Sequence, residues 1–187
     1  MKYIKSFLVL AVAIFTFSLI DVSAQSQQIV SGKSPLQGIE RKVFKEILQL
    51  PYYGLFDQIA YKVDGGTVTL YGKVINATNR KSAERVVKDI SGVENVVNNI
   101  EILPLSSFDN SIRYEIVNEF DQRGGSLYRY LQGTNPSMRI IVENGHVTLE
   151  GYVSNRSDAN LAKLLANSVF GVFSVQSNLI VEKDQVS

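Results

Sequence analysis

The chain has 187 residues, 45% hydrophobic and 20% charged, a balance that suits packed globular structure and excludes a collagen-like or wholly disordered polymer. It has no cysteine and one histidine, which excludes disulfide staples, a cysteine nucleophile and a zinc site of several imidazoles. Basic and acidic residues nearly cancel, 19 against 18, so the clustered cations that general nucleic-acid binding needs are not expected.

Lys2 and Lys5 precede an apolar run from Ser6 to Ile20 that exits through Val22-Ser23-Ala24. Basic, apolar and small residues in that order predict a secretory signal peptide over residues 1–24, cut after Ala24. The run is short for crossing about 30 Å of hydrocarbon, which weighs against an uncleaved anchor. No cysteine follows it, so a lipoprotein is not expected. Removing 1–24 leaves seventeen basic and seventeen acidic residues. The expected location is the periplasm, with secretion as the alternative. Residues 25–35, polar and rich in Ser and Gln, read as a disordered leader.

From there the chain says the same thing twice. Val63 to Ile102 laid over Val142 to Val181, a shift of 79 residues, gives thirteen identities in forty positions without a gap. Each copy begins with an amphipathic helix, marked by Ile39, Val43, Ile47 and Leu50 in the first and by Ile112, Ile116, Val117 and Phe120 in the second. Pro51 stops the first of these and Gly124-Gly125 the second. Strands around Ile59 to Val63 and Met138 to Val142 then turn at Asp64-Gly65-Gly66 and Glu143-Asn144-Gly145, sequences that supply the positive φ of a tight hairpin.

In the returning strand Val68, Leu70, Gly72 and Val74 alternate with Thr69, Tyr71 and Lys73. Gly72 and Gly151 fall on the covered face, where the simplest expectation is a helix crossing close by. A second helix carries Ala83, Val86, Val87 and Ile90, or Ala162, Leu165, Ala166 and Val169, with Thr78 or Ser157 as the expected N-cap and Gly92 or Gly171 as the expected C-cap. A last strand, Val96 to Ile102, follows a helical crossover and so pairs parallel with a neighbour. The fold class is therefore α+β: two tandem α-β-β-α-β domains at 36–104 and 108–183, each a three-stranded mixed sheet covered on one face by two helices.

These residues resemble the BON family of bacterial envelope proteins. The likeness rests on V-D-G-G-T-V-T-L-Y-G-K-V at 63–74, Ala83, G-V-x-x-V at 92–96 and Asn99, repeated as V-E-N-G-H-V-T-L-E-G-Y-V at 142–153, Ala162, G-V-x-x-V at 171–175 and Asn178. It implies attachment to phospholipid membranes and support of envelope integrity, including under osmotic stress. It brings no catalytic residues, because the matched positions are turn glycines and core aliphatics.

No enzyme, cofactor or metal is expected. His146 stands beside a hairpin turn without a base and orienter, and Gly65-Gly66 and Gly124-Gly125 lack the spacing and lysine of a phosphate cradle. Asp57, Asp64, Glu143 and Glu150 are carboxylates next to turns and strands, expected on solvated surface.

Two connections between first helix and first strand are unusually aromatic. Pro51 to Phe56 reads mainly as a cap on the core. Arg123 to Leu131 alternates arginine with aromatics, and Arg123, Leu127, Tyr128, Arg129 and Tyr130 are the candidate membrane contact, helped by Arg113 and Arg139. The rival is a protein interaction module in an envelope complex, using Thr69, Tyr71, Lys73, Thr148, Glu150 and Tyr152 on the open sheet faces. A soluble stress protein binding a small ion is a third reading, for which no oxygen-ligand spacing is visible.

Overall fold

A computed structural model describes residues 38–182, so the expected signal peptide and leader lie outside the described residues. The order is α1 (Ile39–Leu48), β1 (Gln58–Asp64), β2 (Thr67–Val74), α2 (Ala77–Lys88), β3 (Asn95–Ile102), then α3 (Ser107–Gln122), β4 (Met138–Glu143), β5 (His146–Val153), α4 (Arg156–Ser168) and β6 (Ser174–Val181). A 3-10 turn, Leu127–Leu131, is inserted between α3 and β4. The two three-stranded sheets run β1-β2-β3 and β4-β5-β6, the first pair of each antiparallel and the second parallel.

Alternation puts one face of each sheet under the helices. Ile59, Leu70, Val74 and Ile100 meet Val43, Ile47, Ala83 and Val87 in the first core. Met138, Ile140, Leu149 and Val153 meet Ile116, Phe120, Ala162 and Ala166 in the second. Each fully buried aliphatic contributes about 1.5–3 kcal/mol, which lets domains of this size hold together without disulfides.

Three local expectations are corrected. The N-caps of α2 and α4 are Asn76 and Asn155, whose side chains accept the N–H groups of Thr78 and Asp158; Thr78 and Ser157 already lie inside the helices. Gly92 and Gly171 have the positive φ expected of them but stand in the loops beyond the helices, whose caps are Asp89 and Val169. Gly72 and Gly151, at φ +117° and +112°, are required by the neighbouring strand and not by a helix. A Cβ there would lie 2.0 Å from the carbonyl oxygen of Gln58 or of Ser137.

Candidate functional site

The two domains are joined by more than the link after β3. The connection Pro51 to Asp57 leaves the first domain and docks on β4 of the second. Leu55 and Phe56 pack against the second core, and Phe56 meets Tyr114 of α3 edge-on at 5.8 Å. The N–H of Ile140 donates to the carbonyl of Leu55 at 3.0 Å, which uses the otherwise free edge of β4. Arg139, 5% exposed, lays its guanidinium 4.1 Å from the centre of the Tyr53 ring and donates from Nη1 to the carbonyls of Gly54 (2.5 Å) and Asp57 (3.3 Å).

Asp57 is the hinge pin of this junction. Expected on solvated surface, it is 1% exposed, because its carboxylate accepts the N–H groups of Ile75 (2.7 Å) and Gly54 (3.0 Å) and the amide of Asn79 (3.2 Å). Burial pushes its pKa above the usual carboxylate range, against the pull of those N–H groups and of Arg139 and Arg113. Arg113 is 2% exposed and donates to the carbonyl of Val142 and to Asn110. Arg113 and Arg139 are therefore internal fasteners with no free surface for a headgroup.

The open sheet faces proposed as a rival binding surface are turned towards each other. Tyr71, Lys73 and Glu101 of the first sheet and Glu143, Thr148 and Glu150 of the second line one cleft of about 410 Å³. Lys73 crosses it to ion-pair with Glu143, a bond that raises the lysine pKa, and has Glu101 at 3.6 Å. Burial raises the Glu150 carboxyl, opposed by the amide of Asn178 at 2.7 Å. Among the described residues no cluster of three His, Asp or Glu side chains is placed to hold a metal ion.

The segment Arg123 to Leu131 divides. Leu127 and Tyr130 are core residues of the second domain. The Tyr130 hydroxyl donates to Asp158 at 2.5 Å and accepts the N–H of Ser154 at 3.0 Å. Arg129 pairs with the same carboxylate at 3.0 Å and covers the Tyr130 ring at 4.7 Å. Arg123 bonds back to Glu119 one helical turn away. Tyr128 is 36% exposed. The five candidates thus share a neighbourhood, but two of them fill the core.

A different surface gathers three of the exposed large apolar side chains of the described residues. Phe170 is 96% exposed and Phe173 71%, both in the loop between α4 and β6, and Phe108 on the first turn of α3 is 45% exposed. The rings of Phe108 and Phe173 lie 6.3 Å apart, with Gly171 packed beneath Phe108. Sequence reasoning missed this tip because loop aromatics carry no helical or strand period. The available signal was the repeat itself, which sets Phe170 and Phe173 opposite Ser91 and Glu94.

Among the described residues no helix is long and apolar enough to cross a membrane. The model of the BON domain family matches this chain twice, over residues 37–104 and 127–183. No curated protein matches it. Among solved structures it is similar to CdsD, a structural protein of the Type III secretion system of Chlamydia trachomatis, with 13% identity, 78% of this chain and 94% of that chain covered, and a TM-score of 0.30. The C-terminal domain of CdsD matches with 13% identity, 78% and 99% coverage and a TM-score of 0.29.

Proposed function

Because this chain belongs to the BON domain family, we propose that it is an exported, non-enzymatic protein of the bacterial cell envelope that attaches reversibly to phospholipid surfaces and supports envelope integrity. The observation that carries the reading is the tip of Phe108, Phe170 and Phe173. A cluster of exposed aromatic side chains is uncommon unless something covers it, and the interface of a bilayer favours such rings. Removing one from water is worth about 2 kcal/mol, so two or three give attachment that is firm but reversible.

The Arg123 and Tyr128 pair, still exposed, stands at the other end of α3. At 1.5 Å per residue it is about 22 Å from Phe108, so the two surfaces do not merge. It remains available as a separate, salt-sensitive contact with anionic headgroups.

Flotation of the exported chain with anionic and neutral vesicles, at low and moderate salt, tests the reading. Wild type floats with the vesicles. The double substitution F170S/F173E, which installs the residues of the first repeat, weakens binding at least tenfold, while Arg123→Glu and Arg129→Glu act only at low salt. Failure of wild type to float with either vesicle overturns the proposal, and coprecipitation of an envelope protein that survives lipid removal would replace it with a protein-docking function.

A further inference from the structure

The single imidazole of the chain stands on the flank of the aromatic tip. His146 opens β5 as an exposed residue at the rim of the cleft between the sheets, with its ring 5.9 Å from that of Phe173 and its Nδ1 2.8 Å from the Ser174 hydroxyl at the start of β6. The turn before it is held rigidly. The carboxylate of Asp109, the residue after Phe108, accepts the N–H groups of Asn144 (3.0 Å) and Gly145 (2.8 Å), and the N–H of Phe173 donates to the carbonyl of Gly145 at 2.9 Å. These bonds tie the hairpin that carries His146 both to the first turn of α3 and to the backbone of Phe173.

Resting on the membrane reading above, we propose that His146 makes the lipid contact of this tip proton-dependent, so that acidification strengthens attachment to anionic phospholipid. Imidazole is the side chain best suited to respond to mild acid, and this one stands beside rings that would sit in the headgroup layer. The charged groups facing it leave the new charge free to act outwards. Glu143, opposite it across the β4–β5 hairpin, is already paired with Lys73. Glu101 flanks that lysine, Glu150 further along the same face is bonded to Asn178, and Asp109 is committed to the turn. The adjoining strand β6 carries no charge at all. One extra positive charge close to an anionic surface tightens binding about fivefold.

The test measures binding of the exported chain to phosphatidylglycerol-containing vesicles and to phosphatidylcholine vesicles at pH 7.5 and 5.5, for wild type, His146→Gln and His146→Arg. Support is a roughly fivefold gain at pH 5.5 on anionic vesicles only, absent in the glutamine variant and locked on at both pH values in the arginine variant. An unchanged wild-type affinity, or a gain that persists in His146→Gln, overturns the proton dependence while the lipid contact stands. No binding by wild type at either pH overturns the membrane reading itself.

Discussion

The two repeats share a backbone and differ in what they do with it. In each, an asparagine caps the second helix, and the residue three positions on reaches back to hold the connection before the first strand. In the first repeat that residue is Asn79, donating to the Tyr52 carbonyl and to Asp57. In the second it is Asp158, accepting from Tyr130, Arg129 and Ser126. The first arrangement turns Leu55 and Phe56 outwards on to the neighbouring domain, whereas the second folds Leu127 and Tyr130 into its own core. At the opposite end, Glu94 and Phe173 make the same backbone bond, to the carbonyls of Gly66 and Gly145, yet one presents a carboxylate and the other a phenyl ring. The frame is duplicated and the surfaces have diverged, so function is to be sought where the copies disagree.

The largest expected effect probes what the copies have in common. Gly72→Ala and Gly151→Ala each force a side chain into a positive φ and against a carbonyl oxygen. Each should cost about 3–5 kcal/mol in urea denaturation, with similar losses in the two repeats. Unequal losses would show that only one of the strand pairs is closely fitted.

Arg139→Leu comes next, because it strips the donors from Gly54 and Asp57 and leaves Asp57 buried with less compensation. A loss of about 2–4 kcal/mol is expected, with one thermal transition splitting into two as the domains uncouple. A single unchanged transition would mean that Leu55, Phe56 and the Lys73–Glu143 pair hold the junction without Arg139.

Tyr61 separates the repeats by pH, since Ile140 occupies its place in the second. The Tyr61 hydroxyl donates to the carbonyl of Glu40, and burial, helped by the Glu40 charge, raises its pKa to about 12. The folded phenol holds its proton above the ordinary value of 10.0, so the stability it contributes is complete below pH 10 and is lost as pH rises towards 12. That amounts to about 2 kcal/mol. Alkaline denaturation should therefore begin in the first domain, and Tyr61→Phe should flatten this limb of the profile.

The smallest effect belongs to Asp158→Asn, which makes the second pin resemble the first. Loss of the charged partner of Tyr130 and Arg129 should cost about 1–2 kcal/mol, read from the melting temperature.

Much of the fold was legible because burial imposes a period. Val68, Leu70 and Val74 alternate, Val43 and Ile47 recur one turn apart, and Asp64-Gly65-Gly66 and Asn144-Gly145 announce their hairpins, so strands, helices and turns follow from local rules. What escaped was set by contacts distant in the chain. Arg139 resembles any surface arginine on an alternating strand until the Tyr53 connection lies across it, and Asp57 resembles any turn carboxylate until Ile75 and Asn79 surround it. The caps have a readable sign in the sequence, since Asn76 and Asn155 are identical across the repeat while Thr78 and Ser157 are not. The aromatic tip had one too, in the replacement of Ser91 and Glu94 by phenylalanine.

The chain contains no tryptophan, so a single one introduced at Phe170 reports on that site alone. With phospholipid vesicles the Phe170→Trp protein should give a blue-shifted, brighter emission that quenchers placed in the bilayer extinguish, while Ser91→Trp, at the equivalent place in the first repeat, should not respond. Equal responses at the two positions, or silence at 170, would contradict a membrane contact made by the second repeat.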